Sequence, residues 1–355
     1  MRKHYLDNVR IIAVLLVLPY HAMLIFNDFD FTYYINGEPL ASYYLLITGE
    51  WLMPALFVIS GISAFIALQK RTTAQFLKER VSKLLVPFIA GLVFLLPIMS
   101  YFAVRFQQGY TGGYLEQWGR FFTTTTDFTG FDGGLTPGHL WFLLYLFVIS
   151  LVVLPFMRAY LNSKKKLSLK RVPVLVLVLV CALPIAAYPL LIFAEKSFGE
   201  YLLWFLLGFY IFSNDDILEK LDKNRLLLSI IAVVVLAGFL YFSYADFYPT
   251  NSMYDIAFSR LSGWTISLAL LGISRHSLNF KNKATSYLSG AAFAVYIFHQ
   301  PLLVAIGYYV LMLPINVWLQ VLLILVGTVT TSLACYEIFR RIPVTRFLFG
   351  IKAKK

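Results

Sequence analysis

Ten stretches of this chain are apolar enough to sit in lipid, and that pattern limits the fold more than anything else in the sequence. They fall near 8–26, 44–68, 84–104, 139–160, 172–190, 199–213, 226–244, 256–274, 286–310 and 316–339. A hydrocarbon core about 30 Å thick needs about 20 apolar residues per helical crossing. Lipid offers a backbone no hydrogen-bond partner, so each stretch must satisfy itself as a helix. The pattern predicts an all-α, polytopic transmembrane helix bundle of about ten helices, with a single domain over 1–355. The fifth stretch is broken by Pro173, Pro184 and Pro189, and the sixth is short. Only 14% of the 355 residues are charged, where an ordinary soluble domain has about 25%.

The basic residues alternate between connections. One side collects 25 of the 30 Lys and Arg, including Lys70, Arg71, Lys78, Arg80 and Lys83, the run 164–166, and the tail from Arg340 onward. The other side holds only Arg105, Arg120 and Lys196, while Arg10 and Arg260 fall inside apolar stretches. The positive-inside rule makes the first side cytoplasmic and puts both the N- and C-termini there. The net charge of +12 therefore reflects orientation and contact with the lipid bilayer, with no nucleic acid partner implied. The first stretch is too long for a cleaved leader and is expected to remain as an anchor. Cys181 and Cys335 both fall in apolar stretches and read as small hydrophobes, with neither disulfide nor metal spacing.

Ionisable side chains at membrane depth are costly and usually functional. The first stretch, LDNVRIIAVLLVLPYHAML, carries Arg10 and His21 eleven residues apart. In a helix that separation is about 16 Å along the axis with only about 20° of rotation, so both project from one stripe. Asp7 lies one turn before Arg10 on the same face.

Helix rise also estimates depth. His21 and His299 each lie about 20 Å from the cytoplasmic start of their helices, and Glu50 about 9 Å below the outer end of its own. His139 opens the fourth stretch at the outer side (GHLWFLLYL), with Trp141 beside it. Three of the five histidines and a carboxylate thus share an outer layer. A neutral imidazole is the usual base for a hydroxyl nucleophile. Plainer roles stay open: His139 as a helix-end anchor, His299 as an interhelical hydrogen-bond partner, and Glu50 as an ion-pair partner of Arg260.

At the inner side, Arg80 and Lys83 are one turn apart and would point one way. Fixed cations there suit a polyphosphate, although ordinary positive-inside charge explains them equally. Ser60 and Gly61 (LFVISGISAF) either allow close helix approach or line a narrow path for a thin chain. The connection 105–138 carries eight glycines and many aromatics, suited to sugar rings or to an interfacial belt, and is expected to lack structure of its own. Phosphate-loop, HExxH, GxSxG and dinucleotide motifs are absent, which argues against an ATP-driven pump, a metalloprotease and a lipase-type hydrolase.

Four pieces together resemble the acyltransferase family 3 of integral membrane proteins: LDNVRIIAVLLVLPYH, FVISGISAF followed by R-x-x-[RK], GHLWFLLYL, and IFHQPLL. The closer likeness is to members that succinylate osmoregulated periplasmic glucans. The resemblance covers nearly the whole chain as one acyltransferase-3-type transmembrane domain. It implies an O-acyltransferase of the bacterial cell membrane that moves a succinyl or acetyl group from cytoplasmic acyl-CoA to a hydroxyl of an extracytoplasmic polysaccharide or glucan. Acyl-CoA is a substrate in that scheme, and no cofactor or metal is implied. Carried over, His21 is the catalytic histidine and Arg10 its partner, with Asp7 joined to them by its place one turn before Arg10. Arg80 and Lys83 serve the donor phosphates, with Ser60 and Gly61 near the donor path. His139, Trp141, His299 and Glu50 lie on the acceptor side. Lysine at 83, where many members have arginine, lacks the bidentate fork for phosphate. A secondary transporter or flippase of a glycan or small acid is the alternative, and the absence of an inverted repeat argues against it.

Overall fold

The computed structural model describes residues 3–27, 34, 37–164, 169–245 and 252–352. Arg2, Lys165, Lys166, Lys354 and Lys355, part of the basic pattern above, lie outside the described residues. Among the described residues helices dominate, and the only strands form one two-stranded hairpin, Ile192–Phe193 with Lys196–Ser197.

All ten apolar stretches are helical where expected. Seven are helices long and apolar enough to cross a membrane: His4–Phe26, Pro39–Lys70, Thr73–Gln107, Arg225–Tyr244, Met253–Ser277, Lys283–Val310 and Val317–Phe339. An eighth is a pair bent by 50°, Gly138–Val152 and Leu154–Asn162. The fifth and sixth stretches are shorter, Val174–Ala187 and Phe198–Tyr210. The fifth is interrupted between Leu179 and Ala182, just ahead of Pro184. Many of the apolar side chains of Arg225–Tyr244 and Val317–Phe339 are exposed, as lipid-facing helices require.

The chain divides into two compact units. The first comprises Met1–Ala13, Leu46–Lys78 and Val148–Thr285. Glycine sets its closest helix approach. A Cβ on Gly61 would collide with the carbonyl of Phe205 and one on Gly208 with the carbonyl of Val58, so the second helix and Phe198–Tyr210 cross backbone to backbone. Small residues at such crossings let van der Waals packing hold helices together where the hydrophobic effect cannot. Close approach is thus what the structure shows at Gly61. Trp204 and Trp264 fill the adjoining core at 5.1 Å between rings. Trp264 donates its indole N–H to the Leu177 carbonyl at 2.9 Å.

The second unit comprises Val14–Leu45, Glu79–Phe147 and Ser286–Lys355. The connection 105–138 departs from expectation here, because it contains a helix, Tyr114–Thr123. Buried Gln117 on that helix donates to the Ser100 hydroxyl at 2.9 Å, and Ser100 donates to the Gly133 carbonyl at 2.5 Å. These bonds fasten the connection to Leu96–Gln107. Flanking glycines hide the helix in the sequence, because its stability comes from docking and not from propensity.

Candidate active site

Pro301 begins the construction of the site. Proline has no N–H, so inside Lys283–Val310 it leaves the carbonyl four residues back, at Ile297, without a helical donor. The Nε2 of His139 fills the vacancy, donating to that carbonyl at 2.8 Å. Tyr296 returns the contact by donating its hydroxyl to the backbone carbonyl of His139. His139 is therefore clamped at both ring and backbone by one turn of the ninth stretch. That turn also carries His299, whose Nδ1 donates to the Tyr296 carbonyl at 2.7 Å.

A carbonyl only accepts, so these bonds fix both tautomers. His139 carries its proton on Nε2 and His299 on Nδ1. The lone pairs of His139 Nδ1 and His299 Nε2 are buried and have no hydrogen-bond partner among the described residues. A buried unsatisfied acceptor costs about 1–3 kcal/mol, so two in one place call for a function.

His21 completes the group. Its ring lies 5.1 Å from that of His299, which in turn lies 5.0 Å from that of His139. The three imidazoles form a row with His299 in the middle. His299 is fully buried and His139 nearly so, while His21 is half-buried and hence the reachable member. Tyr20 packs edge-on against His21 at 5.4 Å, and Trp141, two residues beyond His139, packs edge-on against Tyr145 at 5.2 Å. Among the described residues no group of three or more His, Cys, Asp or Glu is arranged to hold a metal ion.

The other expected site residues have partners of their own within each unit. In the first unit, Arg10 pairs with Asp7 at 3.3 Å, as their spacing predicts, and donates to the Ser63 hydroxyl at 3.2 Å. Ser63 lies one turn beyond Ser60, outside the dipeptide that the sequence drew attention to. Glu50 is engaged by Arg260 at 2.9 Å, the ion-pair alternative. A second carboxylate, Glu200, meets the same guanidinium at 3.2 Å and is almost fully buried. Glu200 went unmarked because it opens the shortest apolar helix.

In the second unit, Arg80 precedes a π-helical turn, Val81–Leu85. Its guanidinium is 3.9 Å from Glu79, whereas Lys83 donates to the Gly350 carbonyl at 2.8 Å. Arg80 and Lys83 thus meet different partners around this wider turn. Tyr296 is the clamp residue that spacing could have found. It sits one turn before His299, on the face that meets His139.

A multi-pass all-helical membrane chain whose buried polar centre is a row of tautomer-fixed imidazoles has the build of a membrane group-transfer enzyme. Residues 3–337 match the family model described as the Acyltransferase domain, and the chain belongs to acyltransferase family 3. It is an acyltransferase. It is similar to the glucans biosynthesis protein C of Shigella dysenteriae serotype 1, at 26% identity over 99% of this chain and 95% of that protein. The proteins of that name from Escherichia coli strains 536 and HS are 26% and 25% identical over the same shares. No solved structure matches the chain.

Proposed function

We propose that this acyltransferase moves a succinyl or acetyl group from cytoplasmic acyl-CoA to a hydroxyl of an extracytoplasmic glucan, within the bacterial cytoplasmic membrane. The observation that carries the proposal is the histidine row. It supplies one reachable imidazole backed by two whose lone pairs await a proton donor. The glucan acceptor is suggested by the name of the similar proteins, and the sidedness by the basic residues gathered on alternate connections.

The reaction breaks the thioester C–S bond and forms a C–O bond to the sugar. His21 takes the hydroxyl proton, and the departing thiolate of CoA is protonated in turn. An acyl group resting transiently on the His21 ring splits the transfer in two: a C–N bond forms as the C–S bond breaks, and that C–N bond breaks as the C–O bond to the sugar forms. Arg80 offers its guanidinium group to the donor phosphates. Lys83 keeps two N–H donors beyond the one spent on Gly350. His139 and His299 back His21 from the buried side, and Trp141 lies with them on the acceptor side. Glu50 is assigned to the ion pair with Arg260, where it supports the helix crossing.

The test is acyl-CoA consumption by the purified protein in detergent, with a glucan oligosaccharide as acceptor. Wild type is expected to release free CoA, and His21→Ala to lose at least about 100-fold while remaining folded. Unchanged turnover in that variant removes His21 from the chemistry. No acyl-CoA consumption by wild type removes the donor assignment and favours transport.

A further inference from the structure

Arg105 is a cation bonded to phenol oxygens and not to a carboxylate among the described residues. It stands in the last turn of Leu96–Gln107. Its Nη1 donates to the Tyr101 hydroxyl at 2.7 Å and its Nε to the Tyr308 hydroxyl at 3.3 Å. The guanidinium carbon lies 5.4 Å and 5.6 Å from the centres of those two rings. Among the described residues no carboxylate pairs with it. Arg120, on the same connection, is by contrast matched by Glu116 at 2.6 Å.

A guanidinium has five N–H donors, and here two are spent on phenol oxygens. Each phenol that accepts such a bond keeps its own O–H to donate. Three N–H and two O–H groups are left over around one positive charge, with no acceptor among them. The chemical complement of that set is a carboxylate or a phosphate. The ring of Tyr101 is met edge-on by Tyr114 at 5.6 Å and by Tyr110 at 6.4 Å. These half-buried tyrosines supply the apolar faces that a sugar ring uses, while Tyr110 spends its hydroxyl on the Gly113 carbonyl at 3.4 Å. Gln117 and Ser100 hold the arrangement to its helix, so it is built before any ligand arrives.

We infer that Arg105, Tyr101 and Tyr308 form a binding subsite for an anionic substituent, a carboxylate or phosphate, on the glycan acceptor. The identification of the ligand as a glycan rests on the function proposed above, whereas the anion chemistry rests on the geometry alone. A phosphate of a lipid headgroup offers the same acceptor oxygens. Anionic lipid is usually held by clusters of Lys and Arg, and here one arginine stands among tyrosines. A succinylated glycan is itself an anionic ligand of the required kind. The subsite would then favour acceptors that already carry an acyl group, directing further transfer to the same molecule.

The experiment is a binding titration of the purified full chain in detergent, without acyl donor. It compares a glucan oligosaccharide with the same oligosaccharide bearing a succinyl half-ester. Wild type is expected to bind the succinylated form about 10-fold more tightly, the worth of one charge-assisted contact. R105Q is expected to lose that preference while binding the neutral form as wild type does, and Y101F to lose part of it. R105K should retain some preference, since the charge survives without the fork. Equal affinities in wild type, or a preference that persists in R105Q, overturn the inference. So does an R105Q effect confined to retention of phosphatidylglycerol, which would assign the group to lipid. Because no acyl donor is present, this result is independent of whether acyl-CoA is consumed.

Discussion

His139 donates its Nε2–H to the carbonyl of Ile297 across 2.8 Å, and that carbonyl is the acceptor which Pro301 strips of its helical donor. Helix chemistry and site chemistry are thus joined at one atom. His139→Ala should cost about 1–3 kcal/mol, because it leaves a buried carbonyl unpaired. Pro301→Ala supplies a new backbone N–H at the right place in the ladder. The double variant H139A/P301A should therefore recover most of the lost stability while transfer stays impaired. Thermal unfolding in detergent, measured on the two single variants and the double, checks this. Strict additivity of the two effects would mean that the carbonyl is satisfied in some other way.

The Arg260 centre predicts an asymmetry between its members. One guanidinium meets Glu50 at 2.9 Å and Glu200 at 3.2 Å, over the ring of Tyr188. Removing the shared cation leaves two carboxylates facing each other with little water. Arg260→Met is expected to cost about 3–5 kcal/mol, the range for breaking a buried pair from one side. Glu50→Gln should cost clearly less, since Arg260 keeps Glu200 and Glu50 is the more exposed of the two acids. The yield and melting temperature of the two purified variants decide the order. A milder Arg260 variant would show that water reaches both acids.

Glycine positions give a second contrast. Gly61 has backbone where its Cβ would go, whereas Gly238, in the middle of Arg225–Tyr244, has nothing within 4 Å. Gly61→Ala should destabilise by at least about 1–3 kcal/mol, as overpacking does. Gly238→Ala should instead stabilise by up to about 1 kcal/mol through helix propensity. Paired melting curves test both signs, and a tolerated alanine at 61 would mean that the two helices part easily.

These contrasts also mark how far sequence alone reaches. Lipid dictates helix for every apolar stretch, so all ten positions were readable from composition. Helix rise is fixed, so depth arithmetic placed His21, His139 and His299 in one layer, and i,i+3 spacing paired Asp7 with Arg10. Depth likewise offered Arg260 as the partner of Glu50. Partners set by tertiary packing left no such trace. The π turn after Arg80, Val81–Leu85, has no signature in residue spacing. The Lys83–Gly350 bond joins segments 267 residues apart. Glu200 and Tyr296 look ordinary until another helix brings Arg260 or His139 to them.

Acid should loosen the connection 105–138 before it affects the helices. The Asp127 carboxylate accepts from the hydroxyl of Thr129 at 2.7 Å and from its backbone N–H at 2.9 Å. Those bonds, the Thr129 hydroxyl foremost, hold its pKa below the ordinary carboxylate value. A group whose folded pKa is depressed stabilises the folded loop at every pH above its unfolded value. That contribution is lost as pH falls through the lower, folded one. The turn at 127–129 should accordingly be intact from neutral pH down to the ordinary carboxylate range, and open only in stronger acid. Asp127→Asn should remove this acid sensitivity while keeping an acceptor for Thr129 at neutral pH. Hydrogen exchange of the amides at 128–136, followed from pH 7 downward in wild type and D127N, reads the effect directly. Opening that begins near neutrality, or an identical acid response in D127N, would show that another group governs the loop.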